Sequence, residues 1–144
     1  MKHFLCVLLV ACCLFTPATA SILPASAPTD ATSLSTPEAL ITHAIATRTC
    51  LAFTYHGSPR IVQPHRLGLS KNTQNILLRA YEITKNGAPS NTWKLYDLQK
   101  IANLTLTPAT FPQNAPGYTP TDKALSSLLA EVPYTEEETK KETK

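Results

Sequence analysis

The sequence predicts a mainly β domain: a small five-stranded antiparallel barrel of the Sm or SH3-like kind, preceded by one α-helix. Three observations predict it. A helix-period apolar stripe at 37–48 gives way at residue 50 to two-residue alternation. Turn signals then recur at His56-Gly57-Ser58-Pro59, Ser70 to Asn75 and Lys85-Asn86-Gly87-Ala88-Pro89. And the chain of 144 residues is enough for one domain and not comfortably two.

The helix begins at Ser35-Thr36-Pro37-Glu38. Either Ser35 and Glu38 form a capping box, or Thr36 caps with Pro37 at the first helical position. Leu40, Ile41, Ala44 and Ile45 follow at helical spacing on one face. In the first strand Leu51, Phe53 and Tyr55 alternate with Ala52 and Thr54, and Arg60-Ile61-Val62-Gln63 starts the second, completing a hairpin. Pro64 donates no backbone hydrogen bond, so a bulge or an edge is expected there. Ile76 to Thr84 is the third strand, and its turn carries the Asn-Gly hairpin signal. Thr92 to Leu98 is the fourth and Ala102 to Thr107 the fifth; five short strands of this kind suit a strongly bent barrel. Residues 108–120 hold four prolines and are expected to be irregular, wrapping the surface. Thr121 to Glu131 reads as a C-terminal helix, with Ala124, Leu125, Leu128 and Leu129 on one side and Pro133 as its stop. In domain terms, the barrel is expected at 36–110, the proline-rich segment and helix at 111–134, and a disordered charged tail at 135–144.

The first twenty residues read as an address. Met1-Lys2-His3 is a short basic start, Phe4 to Phe15 is apolar, and Ala18-Thr19-Ala20 has the small residues of a cleavage site. That is a secretory signal peptide, too short in its apolar run to span a bilayer, which needs about 20 residues. Leu9-Val10-Ala11-Cys12 resembles a bacterial lipobox with Cys12 as lipid acceptor. Cleavage after Ala20 is preferred, because cleavage before Cys12 leaves a shorter apolar run. Residues 21–35 form a Ser/Pro/Ala linker. The chain is therefore expected to be exported, periplasmic or secreted, with no transmembrane segment after cleavage. Cys6, Cys12 and Cys13 leave with the leader, so Cys50 has no partner for an internal disulfide. Flanked by Leu51, Ala52 and Phe53, it reads as a small buried hydrophobe.

Charge is scarce and uneven. Charged residues make up 16% of the chain, against about 25% in typical globular domains. Between Thr36 and Thr110 eight basic residues face three acidic ones, and the end from Glu131 carries a net −2. A basic domain with an acidic tail points to an anionic partner, or else to ordinary solvated cations.

Four stretches, in order, resemble the WYL domain family over residues 38–107. They are Leu51-Ala52-Phe53-Thr54-Tyr55-His56-Gly57, Arg60-Ile61-Val62-Gln63-Pro64-His65-Arg66-Leu67-Gly68, Ile76-Leu77-Leu78-Arg79-Ala80-Tyr81-Glu82 and Trp93-Lys94-Leu95-Tyr96-Asp97-Leu98-Gln99-Lys100-Ile101. Ile76 and Leu77 stand where the family has its name-giving tryptophan and tyrosine, and Lys94 and Lys100 where arginines are usual. The resemblance implies a five-stranded Sm-like barrel that binds a ligand or nucleic acid in a regulatory role. The DNA-binding domain that usually precedes such a barrel does not fit ahead of this helix, so a standalone exported module is expected.

The ligand-binding candidates are His65, Arg66, Arg79, Tyr81, Trp93, Lys94, Tyr96 and Lys100. Leu77, Arg79, Tyr81 and Ile83 share one face of the third strand by alternation, and Lys94, Tyr96 and Leu98 share one face of the fourth. Arginine forks suit phosphate or carboxylate, and rings supply stacking of about 1–3 kcal/mol per base. The expected ligand is an unidentified anionic or aromatic one, such as a nucleotide or oligonucleotide. The competing reading has the rings as cross-strand packing and the charges on the outer face.

No Gly-rich phosphate loop, Gly-x-Ser-x-Gly elbow or His-Glu-x-x-His occurs. His43, His56 and His65 lack zinc spacing, so neither a metal nor another cofactor is expected, and the reading is non-enzymatic. Two rivals stand beside it: a protein-interaction module using an open strand edge, and a hydrolase of the cell envelope with His65 as its base.

Overall fold

The computed structural model describes residues 34–133. The expected signal sequence at 1–20 with Cys12, the expected linker up to residue 33 and the expected tail at 135–144 lie outside them. Within them one helix precedes six antiparallel strands.

Helix α1 spans Pro37–Ala46. Thr36 is its cap: the hydroxyl accepts from the Ala39 N–H at 3.2 Å, and Pro37 takes the first turn, where its missing N–H costs nothing. Ile41, Ala44 and Ile45 are buried against the sheet. The helix stops two residues short of the expected end, because the Thr47 hydroxyl turns back onto the His43 carbonyl at 2.9 Å and Arg48 adopts φ 52°.

Strands β1 (Thr49–Tyr55) and β2 (Ser58–Ser70) form the predicted hairpin. Its tight turn puts His56 at φ 49° and Gly57 at φ 75°, the paired left-handed conformation that matches strand twist. Asn86 and Gly87 do the same between β3 (Ile76–Lys85) and β4 (Ala88–Asp97). After a 3₁₀ turn at Leu98–Lys100, β5 (Ile101–Thr110) returns to lie beside β1. The order is β4-β3-β2-β1-β5.

β2 is longer than the sequence suggested, and it bends. Its first half pairs with β1 as far as Val62, and β3 pairs along nearly its whole length. The register shifts between Pro64 and Arg66, the bulge expected at the proline.

The C-terminal expectation is overturned. Leu125–Glu131 is not a helix but strand β6, paired with the second half of β2 from Arg66 to Ser70. The expected helix from Thr121 to Glu131 is too short to be stable without packing, whereas the bare backbone of β2 beyond its bulge offers this segment hydrogen-bond partners. Gly68 admits β6: a Cβ there would lie 2.4 Å from the Ser127 carbonyl oxygen.

The expected closed barrel is also not formed. β4 and β5 end the sheet on opposite sides with no bonds between them, so the sheet curls but stays open. The core lies between α1 and the concave side of the curl, built from Ile41, Ile45, Leu51, Phe53, Val62, Leu67, Leu78 and Tyr96. Phe111 and Val132 join it from the C-terminal segment. Cys50 sits in this core, and burial pushes its thiol pKa up, away from thiolate chemistry.

Candidate functional site

The eight candidate residues do not converge on one site. Register decides this. Arg79 lies opposite Arg66 on β2 and Leu95 on β4, and Tyr81 lies opposite Trp93. Lys94 pairs with Ala80 and Tyr96 with Leu78, one residue out of phase. Adjacent residues on a regular strand face opposite sides, so Arg66, Arg79, Tyr81 and Trp93 gather on one face and Lys94 and Tyr96 on the other, while the bulge between Pro64 and Arg66 breaks the alternation and lets His65 join the first face. Lys100 is apart from both, exposed in the 3₁₀ turn with its ammonium 3.7 Å from Asp97.

The first face is covered by the chain that follows β5. The Arg79 guanidinium grips Asp122 in a two-pronged hydrogen bond of 2.6 and 3.0 Å. Arg66 holds Glu131 and the Pro120 carbonyl. Two arginines directly across a strand pair repel, and these two carboxylates neutralise them. The hydrogen bond from Arg79 holds the Asp122 carboxyl below its ordinary range, overriding the opposing effect of burial. Tyr118 donates to Glu131 at 2.6 Å; burial first, then that bond, raises its pKa.

His65 is fully buried. Its Nδ1 lies 2.9 Å from the Gln63 carbonyl, and its Nε2 accepts from the Ala115 N–H at 3.2 Å. A carbonyl only accepts and an N–H only donates, so these partners assign the neutral Nδ1–H tautomer. The ring packs among Trp93, Phe111 and Tyr118 at centroid distances of 4.8 to 5.4 Å. A histidine so engaged is a structural post, with no nitrogen turned to a substrate. Trp93 in turn donates to the Pro116 carbonyl at 2.8 Å and packs edge-on against Tyr81 at 5.4 Å.

On the second face sits a buried charge that the sequence reading passed over. Glu82 is completely buried. Its carboxylate accepts from Arg60, Ser90 and Tyr96. Burial alone would raise its pKa; the hydrogen bonds from Ser90, Tyr96 and Arg60 outweigh that and hold it below the ordinary value. Tyr96 is raised, by burial first and then by Glu82. Its ring stands edge-on to Phe53 at 5.0 Å and Tyr55 at 4.9 Å, and the Arg60 guanidinium lies 5.8 and 5.9 Å from the Tyr55 and Tyr96 rings. The signal was present in the pattern: Glu82 follows Leu78 and Ala80 on the inward parity of β3, where a charge needs a partner.

Beside this network opens a hollow of about 270 Å³, lined by Tyr55, Arg60, Glu82, Lys85, Ser90 and Lys94 among others. Arg60 and Glu82 offset each other. Lys85 and Lys94 are exposed, and among the described residues their ammonium groups have neither an ion pair nor a hydrogen bond. The hollow therefore carries a surplus of two positive charges, whereas the carboxylates on the first face cancel its arginines.

Among the described residues no three His, Cys, Asp or Glu side chains gather as they would around a metal ion. No described helix is long and apolar enough to cross a membrane. Fold and site together define a class: a helix-led, open antiparallel β domain with one neutralised polar face and one cationic hollow. No protein-family model, curated protein or solved structure matches the chain.

Proposed function

We propose that this chain is a non-enzymatic, WYL-like ligand-binding module that is exported to the cell envelope and takes a small anionic ligand in the hollow at Arg60, Lys85 and Lys94. One observation carries the reading: two lysines without counter-ions among the described residues stand over a hollow lined by tyrosine rings and the Ser90 hydroxyl. Ammonium groups attract phosphate or carboxylate as point charges, with less geometric selectivity than arginine forks. The rings of Tyr55 and Tyr96 offer an aromatic ligand group an apolar wall. The size suits one phosphorylated or carboxylated aromatic unit, such as a mononucleotide, better than an oligonucleotide.

The helix ahead of a β1–β4 meander, with β5 returned beside β1, supports the WYL resemblance and an Sm-like curl, although the closing bonds are missing. The signal sequence supports export. Titration calorimetry with adenosine monophosphate and inorganic phosphate tests the reading. Lys85→Ala/Lys94→Ala should lose binding while its circular dichroism stays unchanged, and binding should weaken with salt. Equal affinity in the double variant refutes the hollow as the site.

The open outer edges of β4 and β5 favour a second reading, strand addition by a protein partner. In that case a proline in the middle of β4 abolishes complex formation and the two lysines are irrelevant.

A further inference from the structure

Between β5 and β6 the chain runs through 111–124 without helix or strand. It is anchored where Phe111 and Ala115 are buried and again at Leu125. From 116 to 124, between those anchors, it is mostly exposed, with Tyr118, Asp122 and Ala124 half-buried. Tyr118 holds this stretch by packing its ring against His65 and Trp93 and by donating to Glu131; its other ties to the sheet are polar. Trp93 donates to the Pro116 carbonyl, Arg66 to the Pro120 carbonyl, and Arg79 clasps the Asp122 carboxylate. These acceptors are two main-chain carbonyls and one carboxylate, the groups that any acidic peptide in extended form presents. The stretch also leaves part of the face unfilled: a cavity of about 180 Å³ remains, lined by Arg66, Arg79, Trp93, Tyr118 and Asp122 among others.

We propose that residues 116–124 act as a tethered ligand of this face, and that the face receives an acidic, extended segment of a partner protein in their place. The exchange keeps the β2–β6 pairing and the Arg66–Glu131 pair, whose partners lie in the strands, and gives up the Tyr118–Glu131 bond and the bond from the Lys71 amide to the Ala124 carbonyl. The incoming segment supplies a carboxylate to Arg79 and carbonyls to Arg66 and Trp93. A peptide fits better than a nucleic acid: Trp93 and Tyr81 pack edge-on against each other and present no open stacking platform, and the indole N–H seeks a carbonyl. The tether sets the regulation. A short covalent link holds the internal ligand at an effective concentration in the millimolar range, so an outside segment competes only weakly until the internal carboxylate is lost.

The single tryptophan of the chain is Trp93, so its fluorescence reports the exchange directly. The probe is a synthetic peptide of residues 114–126, added to the full-length chain. Asp122→Asn keeps the side-chain shape and removes the charge. It should bind the peptide at least about tenfold more tightly than the unchanged chain, with a shift in Trp93 emission. Asp122→Asn/Arg79→Ala should lose that gain. A peptide with its aspartate replaced by asparagine should not bind. The proposal is overturned if Asp122→Asn gains no affinity, if the gain survives Arg79→Ala, or if an oligonucleotide of matched charge competes better than the peptide. Should Asp122→Asn fail to fold, Asp122→Ala alone and hydrogen exchange at the Tyr118 amide, which donates to Ala115 in the closed form, read the same opening; an amide as protected as in the unchanged chain counts against it.

Discussion

Replacing Glu82 by alanine removes the only anion, among the described residues, in contact with a guanidinium that is itself almost wholly buried. The Arg60 side chain is 11% exposed and that of Glu82 1%. Three donors converge on the carboxylate, from Arg60, Ser90 and Tyr96. Arg60 Nε already lies buried without a hydrogen-bond partner among the described residues, so without Glu82 only the faces of Tyr55 and Tyr96 offset its charge. Breaking a buried pair from one side costs about 3–5 kcal/mol, because the remaining charge stays desolvated. For a domain of this size, each kcal/mol lowers the melting temperature by about 4–8 °C. Glu82→Ala should therefore melt at least about 12 °C below the unchanged chain in a calorimetric or circular-dichroism scan. Glu82→Gln keeps acceptors for Ser90 and Tyr96 and should lose less. Arg60→Met/Glu82→Leu, which removes both charges and keeps the volume, should recover most of the loss. A Glu82→Ala variant within about 1 kcal/mol of the unchanged chain refutes the reasoning, since the network would then add nothing beyond its desolvation cost.

Three other outcomes follow from the same geometry. Gly68→Val places a side chain into the Ser127 carbonyl, so β6 should detach, and hydrogen exchange over 125–131 should rise while β1 and β5 stay protected. The carboxyls of Glu82 and Asp122 sit below their ordinary values of 4.5 and 3.8; their stabilisation is complete above those values and is lost as pH falls through the lower folded ones. Urea midpoints should thus be flat at neutral pH and decline below about pH 4.5, and in Glu82→Gln the decline should be shallower. Thr36→Ala, finally, removes the helix cap and should cost about 1 kcal/mol in chemical denaturation.

Short-range features were readable because their causes are local. The Thr36-Pro37 start, the His56-Gly57 and Asn86-Gly87 turns and the Pro64 bulge each rest on a few neighbouring residues and their allowed backbone angles. The burial of Leu51 and Phe53 followed from alternation alone. The candidate site was readable only in part. Parity along β4 correctly grouped Lys94 with Tyr96, but nothing in one strand states how it aligns with the next. A shift of one residue separates Arg79 from Lys94, and the pairing of Arg79 with Leu95 made that shift.

By itself the sequence determined the β-rich class, the helix in front, the turns and the surplus of cations over residues 36–110. Tertiary structure decided the rest. It turned Leu125–Glu131 into a strand, because unpaired backbone on β2 outweighed a short segment's weak helical preference. It left the sheet open, and it assigned Arg66 and Arg79 to internal carboxylates while Lys85 and Lys94 found no counter-ion among the described residues. Those outcomes depend on distances between residues up to 65 positions apart, which no local pattern encodes.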